Sequence, residues 1–396
     1  MNNLPLKWTN GRLKNRVRLA YGDSLATEAR NDGGDIPVFG SNGIVGRHHR
    51  AITDGRTIII GRKGSFGKVT WSDEACFPID TTYFVDSTQT REDLRWLYYA
   101  LDDLRLDTVN FDSAVPGLRR ELAYSLKLTF PPLLEQEPIA AYLDASCAAI
   151  DAAVAAKRGQ LETLDALRKA TLHATFAYDD WPVERIKDVV IKIGSGVTPD
   201  GGASGYLEQG IPLLRSQNVH FDGLRLDDVA FISEETHAEM AGSHLKPRDV
   251  LLNITGASIG RCTFVPDDFD EGNVNQHVCI IRGNHKIDHR FLAAFLSSPI
   301  GQGQILSSFT GASRQGLSHK DLGLISIPLP SVEVQRDVVA TLERKESHRN
   351  QVRTHIESQI STLLAYRKSL IHECVTGGRR ITAEDVARAV ALRSAN

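Results

Sequence analysis

The stretch PPLLEQEPIAAYLDASCAAIDAAVAAKRGQLETLDALRKATLHAT, residues 131–175, returns as PSVEVQRDVVATLERKESHRNQVRTHIESQISTLLAYRKSLIHEC, residues 330–374, without a gap at an offset of 199. Pro131 matches Pro330, Gln136 matches Gln335, Ile139 matches Val338 and Leu143 matches Leu342. Later, Leu161, Leu164, Arg168, Lys169 and His173 match Ile360, Leu363, Arg367, Lys368 and His372. A match of this length means that one structural unit is used twice.

Both copies read as helices. Neither carries a proline beyond its first turn, and Ala, Leu, Glu, Lys, Gln and Arg dominate. Apolar residues recur in steps of three and four: Ile139, Leu143, Ile150, Val154, Leu161, Leu164 and Leu172 in the first copy. Val338, Leu342, Val352, Ile356, Ile360, Leu363 and Leu370 do the same in the second. That is a packing seam. About 40 residues at ~1.5 Å each give roughly 60 Å, wider than a small domain, so the two stripes are expected to bury each other between domains.

Outward from the helices the echo continues more weakly. DIPVFGSNGIVG (35–46) resembles GIPLLRSQNVHF (210–221), and GRTIIIGRKGSFGKVTW (55–71) resembles PRDVLLNITGASIGRCTF (247–264). SAVPGLRRELAYSLKLTFPP, ending at Pro132, resembles SRQGLSHKDLGLISIPLP, ending at Pro330. Short β-rich runs, Gly-rich turns and the amphipathic stretches LRWLYYALDDL and HRFLAAFLSS predict two compact α+β domains. The expected layout is a domain at 1–130, a helix at 131–177, a domain at 178–329, a helix at 330–376 and a basic tail at 377–396. Like halves favour an approximate two-fold, with the long helices antiparallel and a reader at each end.

The chain has 396 residues and a net charge of −3, with 41% hydrophobic and 24% charged residues, which excludes a disordered chain or a collagen-like repeat. No run approaches the ~18–20 consecutive apolar residues of a membrane span, and the N-terminus has no secretory pattern. The five scattered cysteines (Cys76, Cys147, Cys262, Cys279, Cys374) form no zinc spacing, and a reduced, cytoplasmic setting is expected. Charge is uneven: 1–130 holds 18 basic and 16 acidic residues, 178–329 holds 13 and 19. Any nucleic-acid binding must then come from charges segregated onto one face.

With these residues in hand, the chain resembles the specificity subunit of type I restriction-modification systems. The resemblance covers nearly the whole length. It rests on the duplicated helix that begins P-x-x-E-Q and ends R-K-x-x-x-H, on FGSNGIVG…GRKGSFGKV…PIDTTYFV, and on WPVERIKDVV followed by IPLLRSQNV. It implies two target recognition domains reading a split site on double-stranded DNA. It further implies helices that set the gap and dock two methyltransferase subunits, with restriction/translocase subunits added. S-adenosylmethionine, ATP and Mg²⁺ would belong to those partners, and this chain would hold no cofactor and perform no catalysis. An asymmetric, bipartite site is expected, with weak DNA affinity for the chain alone.

The motifs agree. No [DN]-P-P-[YF] tetrad and no G-x-G-x-x-G after a strand occurs. GRKGSFGK (61–68) fails as a phosphate loop because Arg62 stands at the first glycine position and Val69 replaces the hydroxyl. His285 and His289 have metal-like spacing without an intervening glutamate. The rival readings are a fused methyltransferase or nuclease with targeting domains, and a helical scaffold that binds only protein.

Two readings stand for 61–68: a tight turn in which Gly64 and Gly67 supply positive φ, or a phosphate contact by Arg62, Lys63, Ser65 and Lys68. Its counterpart TGASIGR keeps Ser258 and one cation, Arg261. Base readout favours residues that make two hydrogen bonds to a base edge. The candidates are Asn42, Arg47, His48 and His49 in the first domain, and Arg215, Gln217, Asn218, Asn275, Gln276, His277, Arg314 and Gln315 in the second. Arg168, Lys169, Arg367 and Lys368 either complement the helix dipole or seat partner subunits. Trp71, Phe84 and Trp96 are assigned to the core.

Overall fold

The computed structural model describes residues 7–31, 33–108, 117–178, 180–199, 202–308 and 316–394. It contains two compact units, Met1–Arg158 with Ile356–Asn396, and Gly159–His355. The units cut across the helix and domain boundaries expected at 131–177 and 330–376. Each long helix, Leu133–Phe176 and Val332–Thr376, gives one half to each unit.

The reason lies in the seam. In the first unit Ile139, Leu143, Ile150 and Val154 share a core with Leu370, Ile371 and Cys374. Asp151 pairs with Arg367 at 3.1 Å, while the Arg379 guanidinium lies 5.1 Å from the Tyr142 ring. In the second unit Asp165 pairs with Arg353, and Arg168 with Glu346 at 3.5 Å. Residue numbers rise along one helix as they fall along the other, so the segments are antiparallel in both units.

Two local features differ from the sequence reading. Pro138 lies inside the first helix, where its ring removes one backbone donor. The expected tail contains a helix, Ala383–Ser394, capped by reciprocal Thr382–Asp385 bonds, and its Ala389 is buried in the first unit's core. The alanine-rich part of the first long helix reaches a mean hydropathy of 1.5, yet Asp144 and Asp151 interrupt it, so no continuous apolar run of membrane-spanning length occurs there. These two aspartates pair with Arg95 and Arg367.

The units repeat one topology. In the first, Ala20–Tyr21, Thr82–Val85, Thr57–Gly61 and Val69–Ser72 form an antiparallel sheet in that spatial order. Val190–Ser195, Val278–Gly283, Val250–Asn253 and Cys262–Phe264 do the same in the second. A three-stranded sheet accompanies each: Gly43–His48, Ile36–Gly40 and Phe77–Pro78, against Ala230–Ile232, Ile211–Leu214 and Asn273–Val274. Runs such as TIIIG and VLLN are buried throughout because both faces of the central strands are covered.

The duplicated glutamine explains how each domain holds its helix. Gln136 Oε1 accepts from Asp93 N at 2.7 Å while its Nε2 donates to Pro131 O at 3.0 Å. Gln335 Oε1 accepts from Asp288 N at 2.8 Å, and its Nε2 donates to Pro330 O at 2.8 Å. Asp93 and Asp288 are the N-caps of Leu94–Asp103 and His289–Ser297. Both glutamines are buried, so a full set of hydrogen bonds is required of them. Arg95 and Arg290, two residues after those caps, add ion pairs to Asp144 (2.7 Å) and Glu343 (3.3 Å).

Candidate nucleic-acid interface

In each unit three turns meet where a pair of parallel strands ends. In the first, Val38 pairs with Phe77 and Phe39 with Pro78. Beyond them Ser41 Oγ donates to Thr81 O at 2.7 Å, and the backbone N–H groups of Arg62 and Lys63 donate to the same carbonyl at 2.8 and 3.2 Å. Lys68 Nζ donates to Asn42 O at 2.9 Å and to its Oδ1 at 2.8 Å. The turn therefore gathers Asn42, Arg62, Lys63, Ser65 and Lys68. Gly67 has φ +78, and a Cβ there would meet the backbone of Asp107 at 2.1 Å, so this glycine is required.

Arg62 is tied down, donating to Asp80 O at 2.8 Å and stacking 5.3 Å from the Tyr21 ring. Arg120 stacks 4.8 Å from Tyr21, which is itself exposed. Tyr21 and Arg120 escaped the sequence reading. A lone aromatic beside a turn carries no pattern, and Arg120 reaches it from about 100 residues away in sequence.

Arg47 and His48 belong elsewhere, since they pair with Pro37 and Ile36 at the far end of the hairpin from the turn, and His49 follows them there. Arg47 Nη1 donates to Asp35 O at 2.6 Å. His48 is buried with its ring edge-on to Phe77, so it is a core residue rather than a base reader.

In the second unit Leu213 pairs with Asn273 and Leu214 with Val274, again in parallel. Residues 215–218, 253–261 and 275–277 follow. Asn253 Nδ2 donates to Ser216 O at 2.7 Å and to Ser258 Oγ at 3.2 Å, and the Thr255 hydroxyl shares a 2.5 Å hydrogen bond with His277 Nδ1. Asn253, fully buried, ties two of the turns together. The one available signal was an amide closing the apolar run VLLN. Arg261 reaches this edge through its backbone, its N–H donating to Ser258 O at 3.1 Å.

Two candidates here are corrected. Asn218 is 1% exposed: its Oδ1 accepts from Arg215 N at 2.9 Å and its Nδ2 donates to Arg225 O at 2.8 Å, which leaves little for a base. Asn275 is buried and its Oδ1 accepts from His277 N at 3.1 Å. Both shape turns. Gln217 and Gln276 are exposed. Gln217 Nε2 donates to Asp228 Oδ2 at 2.6 Å and Arg215 Nη2 to Asp228 O at 3.0 Å, so Asp228 orients both. Arg314 and Gln315 lie outside the described residues.

On the long helices Arg168 and Arg367 serve the intra-unit ion pairs already described, whereas Lys169 and Lys368 are exposed. Phe84 and Trp96 are buried. Trp71 is half-buried and lies 4.8 Å beneath the Arg95 guanidinium. The five cysteines are free and buried. Among the described residues no group of three His, Cys, Asp or Glu could hold a metal ion.

Such a chain, built twice from one α+β plan and offering two differently lined polar edges, has the form of a two-site recognition protein. It belongs to the family described as the type I restriction modification DNA specificity domain, whose profile matches residues 5–163 and 178–362. It is 24% identical over 351 residues to the type I restriction enzyme EcoBI specificity subunit of Escherichia coli, covering 81% of this chain and 73% of that one. It is 24% identical over 311 residues to the MjaVIII specificity subunit of Methanocaldococcus jannaschii, covering 72% and 70%.

Among solved structures, the HsdS subunit from Thermoanaerobacter tengcongensis shares the fold at a TM-score of 0.52 and 15% identity, over 96% of this chain and 99% of that one. A chain from a study of complex assembly and conformational transition of the type I R-M system has a TM-score of 0.74 at 15% identity. It covers 96% of this chain and 100% of that one. The role of the present chain in a restriction-modification system is DNA recognition, and catalysis falls to partner subunits.

Proposed function

We propose that the two loop edges read the two halves of an asymmetric, bipartite site on duplex DNA. The long helices set the gap between them and seat two methyltransferase subunits, to which restriction/translocase subunits are added, in the cytoplasm. The observation that carries this reading is the repetition of one three-turn edge with different side chains. The scaffold is kept, while amides and cations that contact base edges or phosphates are changed.

The test is modified-base sequencing of DNA from cells that carry this chain with its methyltransferase partner. The expected result is a split motif with two unlike halves and a fixed gap; a continuous motif contradicts it. The helix role has its own test. Seven residues inserted into each long helix, after Arg158 and after His355, add about 10 Å. The gap should lengthen by about three base pairs at ~3.4 Å each. An unchanged gap removes the helices from that role.

A further inference from the structure

A cavity of about 680 Å³ opens within the second unit, walled by Leu164, Leu172, Phe221, Phe264, Ala293 and Ala294 among others. The corresponding place in the first unit is occupied by aromatic rings. Counted from the helix caps Asp93 and Asp288, Tyr98 and Tyr99 correspond to Ala293 and Ala294. The two tyrosine rings lie 5.2 Å apart, and Trp71 lies 6.0 Å from Tyr98. Arg95 stacks on all three at 4.8, 4.9 and 5.3 Å. Arg290 keeps the position of Arg95 and its partner carboxylate, Glu343, but the two tyrosine rings are replaced by methyl groups.

The charge lining this space is unbalanced. Arg168 and Arg349 both turn to one carboxylate, Glu346. The other acids on the wall are engaged: Glu343 with Arg290, and Asp222 with Arg225 at 3.3 Å. The Arg349 side chain is 12% exposed, and its Nε is buried without a hydrogen-bond partner. Burial, with Arg168 and Arg353 close by and Asp165 opposing them, pushes its pKa down to about 10, so a further negative charge beside it is electrostatically favoured. A half-enclosed apolar space of this size with a few convergent polar groups suits a small organic ligand.

We propose that the second unit binds a small planar aromatic acid in this cavity. Its ring takes the space that Tyr98 and Tyr99 fill in the first unit, and its anionic group meets Arg349 and Arg168.

The test uses the full chain with 4-hydroxyphenylacetate as probe and p-cresol as its uncharged counterpart, titrated by saturation-transfer NMR. The wild type should bind the acid saturably, with Kd on the order of a millimolar or tighter. Ala294→Tyr should refill the cavity, weakening binding more than tenfold with no fall in melting temperature. Should that variant not fold, Ala293→Leu supplies a smaller obstruction with the same expected loss. Arg349→Gln should weaken the acid about tenfold and leave p-cresol unchanged. The proposal is overturned by an absence of saturable binding, by full binding in a folded cavity-filled variant, or by equal loss of acid and p-cresol. Loss of methyltransferase binding in Ala294→Tyr without any probe binding to the wild type also overturns it, because the occupant is then a partner's side chain.

Discussion

In the first unit the chain leaves strand Ile36–Gly40, turns over Ser41 and Asn42, and returns at once as Gly43–His48. In the second, residues 215–229 intervene between Ile211–Leu214 and Ala230–Ile232, and they include the small hairpin of Val219–His220 with Gly223–Leu224. The flanking strands pair alike in both units, so an excursion of this size is accommodated without disturbing the sheet. The lining differs as well. Arg62, Lys63 and Lys68 surround the first edge, whereas the second presents Gln217 and Gln276, with Asp228 holding Gln217 and Arg215. One scaffold thus supports a short cationic edge and a longer, amide-rich one, a difference that fits the two unlike half-sites proposed above.

The largest expected effect that separates the units concerns buried charge. Arg282 Nε and Nη2 donate to the fully buried Asp249 at 2.6 and 2.7 Å. The first unit places Asp86 and Thr57 at these strand positions, with Asp86 accepting from Thr88 N at 2.9 Å and Asp54 N at 3.0 Å. Arg282→Met strands a buried carboxylate and should cost about 3 kcal/mol. Asp86→Ala should cost about 1–2 kcal/mol. Hydrogen exchange in Val278–Gly283 and in Thr82–Val85 reports the two separately. Equal losses would mean that the ion pair is not what distinguishes the cores.

Next come the glutamines, where the units should agree. Gln136→Ala and Gln335→Ala each leave a half-buried cap amide without its acceptor, and each should cost about 2 kcal/mol by the same exchange measurement. A large cost in one unit alone would break the structural equivalence of the repeats.

A smaller effect separates the edges in DNA binding by the assembled complex. Replacing Arg62, Lys63 and Lys68 together by alanine should weaken binding on the order of tenfold and lower the salt slope by about three. Arg261→Ala in the second unit should lower it by at most about one. Matching slopes would show that cationic character does not divide the edges.

The smallest effect is one of pH. Burial holds His289 below its ordinary value of 6.5, with Asp288 and Asp267 opposing the shift and Arg290 and Arg248 reinforcing it. The unfolded chain therefore takes up this proton first, and the second unit should lose stability as pH falls below about 6.5. Leu94 holds the corresponding place in the first unit. His289→Leu should flatten the second unit's profile, and an unaltered profile would remove His289 as the cause.

The helices and the pairing of Gln136 with Gln335 were legible because they rest on periodicity and on an ungapped repeat, which survive in one dimension; the hydrogen bonds those glutamines make were not. The α+β domains were legible from apolar runs and turns. Side-chain direction was not. Gln217 and Asn218 are adjacent amides of the same hydrogen-bonding type, yet one is exposed and the other is 1% exposed, because Arg225 O, seven residues on, claims its amide. The division of the long helices between units was hidden for a like reason, since it depends on which distant segment each seam meets. The tail helix carried its own signal, Thr382 and Asp385 ahead of an apolar face, masked by the count of arginines.

The central claim is that each edge reads its own half of the site. It is tested most directly by sequencing modified bases in cells carrying Gln217→Ala with Gln276→Ala, and separately Asn42→Ala with Lys68→Ala, alongside the methyltransferase partner. Each pair should relax one half of the motif while leaving the other half and the gap intact, and the two pairs should relax opposite halves. Relaxation of both halves by either pair, or of the same half by both, would contradict the account.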